Sequence, residues 1–271
     1  MRVMAAACCI AGLLQGQPAA AQRDSIPPGY PQSLERERDA LQTSLQRDGE
    51  NAAVLTRLAE VYLDMADDLL TEEEKRFAAY EEGAKMARKA LALKEASAEA
   101  HFLYAANLGS AARLKGMASG GLALKEINAH MARAIELDPH HAPSLQMMGG
   151  LLAQLPWFLG GDARSAEAYL TQAIAADGNY TNARLLLARL LISQDRHDEA
   201  RRQLLAVIHA ERPHYPYTWG GRSSPRPNGS SAHSTPATDP FPSSFFLNLA
   251  VRPRGSRWPI AWNGIRPASG I

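Results

Sequence analysis

Cysteine is nearly absent from this chain: 271 residues hold two, Cys8 and Cys9, side by side in an apolar leader. Past that leader no disulfide and no thiolate metal site can form. Proline is scarce where it would do most damage. Of 17 prolines, ten fall from Pro213 onward and four before Ser33, so Pro139, Pro143 and Pro156 alone interrupt the stretch between. A long, alanine-rich stretch with so few prolines favours helix. Aromatics make up 7% of the chain against 46% hydrophobic residues overall, so a core must come mainly from aliphatic side chains and alanine. The apolar run Val3 to Leu14 has 12 residues, well short of the roughly 20 that span a bilayer.

Catalytic signatures are missing too. There is no GxSxG elbow, no P-loop and no GxGxxG after a strand. The carboxylate pairs Glu81–Glu82 and Asp67–Asp68 read as ordinary solvated helix surface. Charge is not concentrated either: the formal total is +1, and six arginines against one aspartate after Arg212 leave the rest of the chain mildly acidic. That balance provides no basic stripe for nucleic acid. The chain therefore reads as non-enzymatic, with no cofactor and no metal. His101, His130, His140 and His141 lack HExxH spacing, and the adjacent pair His140–His141 points apart in a turn.

What is present begins with a leader. Arg2, the apolar run to Leu14 and the small residues Ala19-Ala20-Ala21 before Gln22 have the form of a secretory signal over residues 1–21. Export to the periplasm of a Gram-negative envelope is expected, with no transmembrane segment in the mature chain. Too few apolar residues precede Cys8 or Cys9 for a lipid anchor.

From residue 51 a pattern recurs. Taking Thr181 as its first position places Leu187, Ala188 and Leu191 on one helix and Ala200, Leu204 and Val207 on the next, with Pro213 just beyond. Ala142 opens an equivalent unit: Leu145, Met148, Gly149 and Leu152, then Ala166, Leu170 and Ala173. Further upstream Tyr104, Ala105 and Leu108 face Ile127, Met131 and Ala134, and Leu55, Leu58, Ala59 and Tyr62 face Gly83, Ala87 and Ala90. These are the places and the period of the tetratricopeptide repeat, which the chain resembles. The small residues mark where paired helices nearly touch, and a bulkier side chain there would overpack the contact.

The units are stretched. Gly149 to Ala166, Ala105 to Ile127 and Ala59 to Gly83 span 17, 22 and 24 residues, where the repeat has about 12. The excess is expected in specialised turns on one edge of the stack. Ser110 to Gly121, with three glycines, reads as a loop, and Thr71 to Glu74 as an N-cap with an acidic first turn. Ser33 to Arg47 reads as a cap helix within the N-terminal segment 22–50. The repeats occupy 51–213, and the Pro, Gly, Ser and Arg mixture of 214–271 reads as a disordered tail. The fold class is all-α: a short right-handed solenoid of helix pairs.

In such a stack the first helix of each pair turns positions two, five, nine and twelve toward the inner groove. That selects Glu60, Glu99, Phe102, Gln146, Asn182 and Arg189 as partner-binding candidates. Asn182 and Arg189, two turns apart, share a face and suit a carboxylate or a peptide backbone. Trp157 and Phe158 are unusual in a turn. Either they fold back to plug the groove, the favoured reading, or they line an apolar ligand pocket.

A closer likeness lies in Tyr80-Glu81-Glu82-Gly83, in Ala100 to Gly109 and in Leu155-Pro156-Trp157-Phe158-Leu159-Gly160-Gly161-Asp162. These runs resemble exported bacterial repeat proteins related to the T component of TRAP transporters, over about residues 50 to 213. The resemblance implies a helical periplasmic body that associates with itself and with a solute-binding protein. A protein or peptide partner held in the groove is the expected function. A transport accessory with a small apolar pocket is the alternative.

Overall fold

The computed structural model describes residues 29–210, and within them the backbone alone of 117–122. Among the described residues there are nine α-helices and no strand. They are α1 (Ser33–Asp48), α2 (Ala52–Asp64), α3 (Glu73–Leu93), α4 (Ala98–Lys115), α5 (Met117–Leu137), α6 (Ala142–Gln154), α7 (Ala163–Ala176), α8 (Thr181–Ser193) and α9 (His197–Ile208).

Local chemistry sets several of the starts. The Asn51 side chain accepts from the amides of Ala53 and Val54 at 2.9 and 3.2 Å, and that of Ser97 from the amide of Ala100 at 3.2 Å. Asp162 does the same for the Arg164 amide at 3.0 Å. Each cap satisfies an amide left over at a helix start, a service worth about 1 kcal/mol. Pro143 enters the first turn of α6, where its missing N–H is not needed.

The helices pack as the pairs α2–α3, α4–α5, α6–α7 and α8–α9, and each pair stacks on the next. The chain is an all-α, tetratricopeptide-like solenoid. Gly149, Ala166, Ala188 and Ala200 all lie inside it. A Cβ on Gly149 would sit 2.7 Å from Leu170 Cγ and 3.1 Å from the Ala166 carbonyl oxygen, so α6 and α7 meet backbone to side chain at that point. Two apolar clusters result. One gathers Tyr80, Phe102, Tyr104, Met131 and Leu151 from α3 to α6, the other Leu145, Leu170, Tyr180 and Leu187 from α6 to α8. Ile135, Leu152 and Tyr169 touch both. The expected cap helix is α1, which lays Leu34 over Val61 and Met65.

The expected loop at Ser110 to Gly121 is not a loop. α4 continues to Lys115 and α5 starts at Met117, with a single break at Gly116, where φ is +92°. Ala111 and Ala112 are buried, and Leu114 packs onto the larger cluster, so burial outweighs the roughly 1 kcal/mol that each helical glycine costs. The first pair behaves similarly. α2 runs on through a π-helical turn at Met65–Leu69, and α3 begins at Glu73. Glu73 and Glu74 lie in its first turn as expected, but the N-cap is Glu72, with no side-chain cap bond. The extra residues have gone into longer helices as much as turns. α3 and α5 have 21 residues each, against 12 to 14 for α6 to α9. The leader, the Pro213 boundary and the tail after it lie outside the described residues.

Candidate partner-binding face

Two of the six selected groove residues are committed to the stack. Phe102 is buried and presents an edge-to-face contact to His141, with ring centroids 5.7 Å apart. Gln146 is buried and accepts a long hydrogen bond of 3.4 Å from the Tyr180 hydroxyl. Both serve as joints between successive first helices, α4 to α6 and α6 to α8.

The other four are partly exposed. Glu99, near the start of α4, lies 2.9 Å from His141 Nε2, and His141 Nδ1 lies 2.7 Å from Ser144 Oγ, which ties the entry of α6 to the preceding unit. Glu60 is 2.8 Å from Arg57, which also reaches Glu37 of the cap helix at 2.7 Å. Asn182 and Arg189 are half-buried on α8. The four are thus spread along α2, α4 and α8, with two buried joints between them.

Trp157 and Phe158 differ from the favoured reading. They form a single 3-10 turn with Leu159, and Trp157 is 85% exposed and Phe158 61%. Neither ring plugs the groove, and neither is enclosed by pocket walls. They stack edge to face at 5.9 Å on a turn held by backbone bonds. The Gly160 amide donates to the Trp157 carbonyl at 3.1 Å, and the Asp162 amide to the Leu152 carbonyl at 3.1 Å. Gly161 allows that closure, since a Cβ on it would fall 1.7 Å from the Leu155 carbonyl oxygen.

Three features escaped the sequence. A trough of about 510 Å³ lies between α3 and α5 with α4 as its floor. Phe77, Leu108, Ala111 and Ala123 supply apolar wall, and Lys85, Arg88, Lys115, Glu81 and Glu126 ring it. At one end Lys115 Nζ stands 4.1 Å above the Phe77 ring. At the other the Tyr104 hydroxyl accepts from Arg88 and donates to Glu126 at 2.6 Å.

The second is the partial burial of two carboxylates. Asp67 and Asp68, read as solvated surface, are drawn inward by the π-helical turn. Asp67 accepts from the Tyr80 hydroxyl at 2.6 Å and lies 3.9 Å from Arg76, while Asp68 accepts from the Tyr30 hydroxyl. Burial pushes the Asp67 carboxyl up to about 6, against the pull of the Tyr80 bond, and raises Asp64 as well. The third is a bond between His101 and His130, Nδ1 to Nδ1 at 2.9 Å, formed across 29 residues of sequence. His101 is buried.

Comparison with known proteins places this arrangement. Residues 22–158 match the model of a family described as regulator of microtubule dynamics protein 1-3. The chain belongs to that family. Residues 158–220 match a tetratricopeptide repeat model. Regulator of microtubule dynamics protein 1 of Bos taurus is 31% identical over 157 residues, 52% of this chain and 49% of that protein. The Mus musculus protein is 30% identical over 159 residues, 52% of this chain and 51% of that protein. The chain thus spans about half the length of the curated relatives it matches. A thermophilic tetratricopeptide repeat protein of Thermus thermophilus superposes with a TM-score of 0.52 at 19% identity, covering 66% of this chain and 86% of that one. That likeness is one of fold. No helix among the described residues is long and apolar enough to cross a membrane.

Proposed function

We propose that this protein is a non-enzymatic scaffold that holds a protein or peptide partner against the first helices of its repeats. The observation that carries the proposal is that Glu60, Glu99, Asn182 and Arg189 remain partly exposed while Phe102 and Gln146 fix the spacing of the helices that bear them. Buried joints between exposed polar groups make a face whose geometry is set before a partner arrives, which lowers the cost of binding.

The relatives are named for regulating microtubule dynamics, so tubulin is one partner to test. The leader supports a different setting. Its small-residue end falls at Ala21, and the family match starts at residue 22, the first after the expected cleavage point. Export and a tubulin partner exclude each other in a bacterial envelope, so cell fractionation with N-terminal sequencing of the mature chain comes first. A chain that starts at Gln22 in the envelope fraction supports export; a cytoplasmic chain with its leader intact ends that reading. The alternative, a TRAP-associated accessory with an apolar ligand site at Trp157, would have to bind its ligand on the open surface of the Trp157–Phe158 pair, which no pocket walls enclose. It requires a periplasmic solute-binding protein to co-purify.

The groove itself is tested by Arg189→Glu. Capture of the partner should weaken by tenfold or more at a temperature where the variant is still fully folded. An unchanged pull-down would remove Arg189 from the binding face.

A further inference from the structure

The bond between His101 and His130 fixes its own proton. His101 Nε2 lies 3.1 Å from the backbone carbonyl oxygen of Glu95, which can only accept, so Nε2 carries a hydrogen. Neutral His101 then has a bare Nδ1, and the 2.9 Å contact is a hydrogen bond only if His130 donates from its own Nδ1. One imidazole nitrogen of the pair is left vacant, His130 Nε2. A first added proton goes there and leaves the bond in place. A second must go to His101 Nδ1, and two N–H groups would then face each other at a distance that allows neither to be accepted.

The neighbours act on this sequence of protonations. Glu95, between α3 and α4, faces His101 Nε2 at 3.5 Å through its carboxylate, but Arg133 of α5 already grips that carboxylate at 2.7 Å. Around His130 stand Arg88 of α3, Glu126 of α5 and the Tyr104 ring of α4, whose centroid is 4.4 Å away. Burial, helped by His101 and Arg88 and opposed by Glu126, holds the His130 imidazole below its ordinary value. The Tyr104 hydroxyl is the group shared by Arg88 and Glu126 at one end of the trough.

We propose that the His101–His130 bond is a proton-operated clasp between α4 and α5, closed when the pair is neutral and opened by acid, with the trough beside Tyr104 as the part it reshapes. Closed, it holds the two helices at the level of the trough floor. Open, it frees His130 to swing toward Glu126 and takes the Tyr104 ring with it. A histidine whose folded-state pKa is depressed contributes stability above the unfolded value, about 6.5, and that stability is lost as pH falls from there through the depressed folded value.

The test uses the full chain. Nitrogen-detected NMR of the imidazoles above pH 7 should show His101 with hydrogen on Nε2 and His130 with hydrogen on Nδ1, the less common form for a free imidazole. On acidification the first added proton should appear on His130 Nε2, below the ordinary value, while the bond between the two Nδ1 atoms persists. Thermal melts should show a larger fall in Tm from pH 7.5 to 5 for the wild type than for His130→Gln, whose amide can donate to His101 but does not titrate. Nε2–H on both rings, titration of His130 at or above its ordinary value, or equal acid sensitivity in His130→Gln would each overturn the clasp. If the variant does not fold, the wild-type spectra alone decide.

Discussion

Gly149 allows the helix register to be tested against its own neighbour. Gly149 and Gly150 both lie inside α6, so replacing either with alanine brings the same gain in helix propensity, about 1 kcal/mol. Their surroundings differ. A methyl at Gly149 meets Leu170 Cγ at 2.7 Å and the Ala166 carbonyl oxygen at 3.1 Å, so both a branched carbon and the facing backbone must withdraw. A methyl at Gly150 meets Leu186 Cδ1 at 3.1 Å, the tip of a side chain that can rotate away. Overpacking a close helix contact costs about 1–3 kcal/mol. Gly149→Ala should therefore come out destabilised by about 0–2 kcal/mol net, and Gly150→Ala neutral or stabilised by up to about 1 kcal/mol. Gly149→Leu, with three more carbons to place, should lose at least 3 kcal/mol. At about 2–4 °C per kcal/mol for a protein of this size, that is a drop of roughly 6–12 °C or more. Thermal melts by circular dichroism would measure all three. Adding Leu170→Ala to Gly149→Ala should offset part of the clash, a coupling that a double-mutant cycle reads directly. If Gly149→Ala melts with or above Gly150→Ala, or Gly149→Leu melts normally, the proposed meeting of α6 and α7 is wrong.

Asp67→Asn should stabilise the protein above pH 7 by about 1–3 kcal/mol, because Asn still accepts from Tyr80 without a buried charge. The sign follows from a folded-state value of about 6, above the ordinary 3.8: the wild type gains stability as pH falls through 6. The gap between the two melting curves should therefore narrow steadily as pH falls below 6 and close only below the ordinary value of 3.8, and parallel curves would contradict the desolvation of that carboxylate. Gly161→Ala should break the turn that presents Trp157 while leaving the helices folded. Faster proteolytic cleavage between residues 155 and 162 would show it, and an unchanged cleavage rate would mean the turn tolerates the methyl.

Where helices touch was legible in the sequence, because tolerance for only the smallest side chain leaves a mark at one position. Gly149, Ala166, Ala188 and Ala200 carried the register correctly. How far helices run was less legible. Gly120 and Gly121 looked like loop residues, yet only Gly116 needed a positive φ, and the surrounding alanines and Leu114 had a surface to bury against. Asp67 and Asp68 misled for another reason: a π-helical turn adds a residue to the local period and rotates both carboxylates toward tyrosines. Phe102 and Gln146 were assigned to the groove from positions in a regular stack, but His141 and Tyr180 close over them here. His101 and His130 had no local spacing to betray their pairing. The usable hint was that each stands beside its helix's buried stripe, next to Phe102 and Met131, where a lone imidazole needs a partner.

The unequal helix lengths bear on how the molecule comes apart. With 21 residues in each of α3 and α5, the front of the array is braced by rods of about 31 Å, while α6 to α9 are nearer 20 Å. Each unit is gripped only by those beside it, and the last of the described units leaves Ile192, Leu205 and Ile208 with much of their surface wetted. Heat or mechanical load would peel α9 and then α8 away while the front half still stood. A ligand that straddled both halves would act as a splint against that fraying.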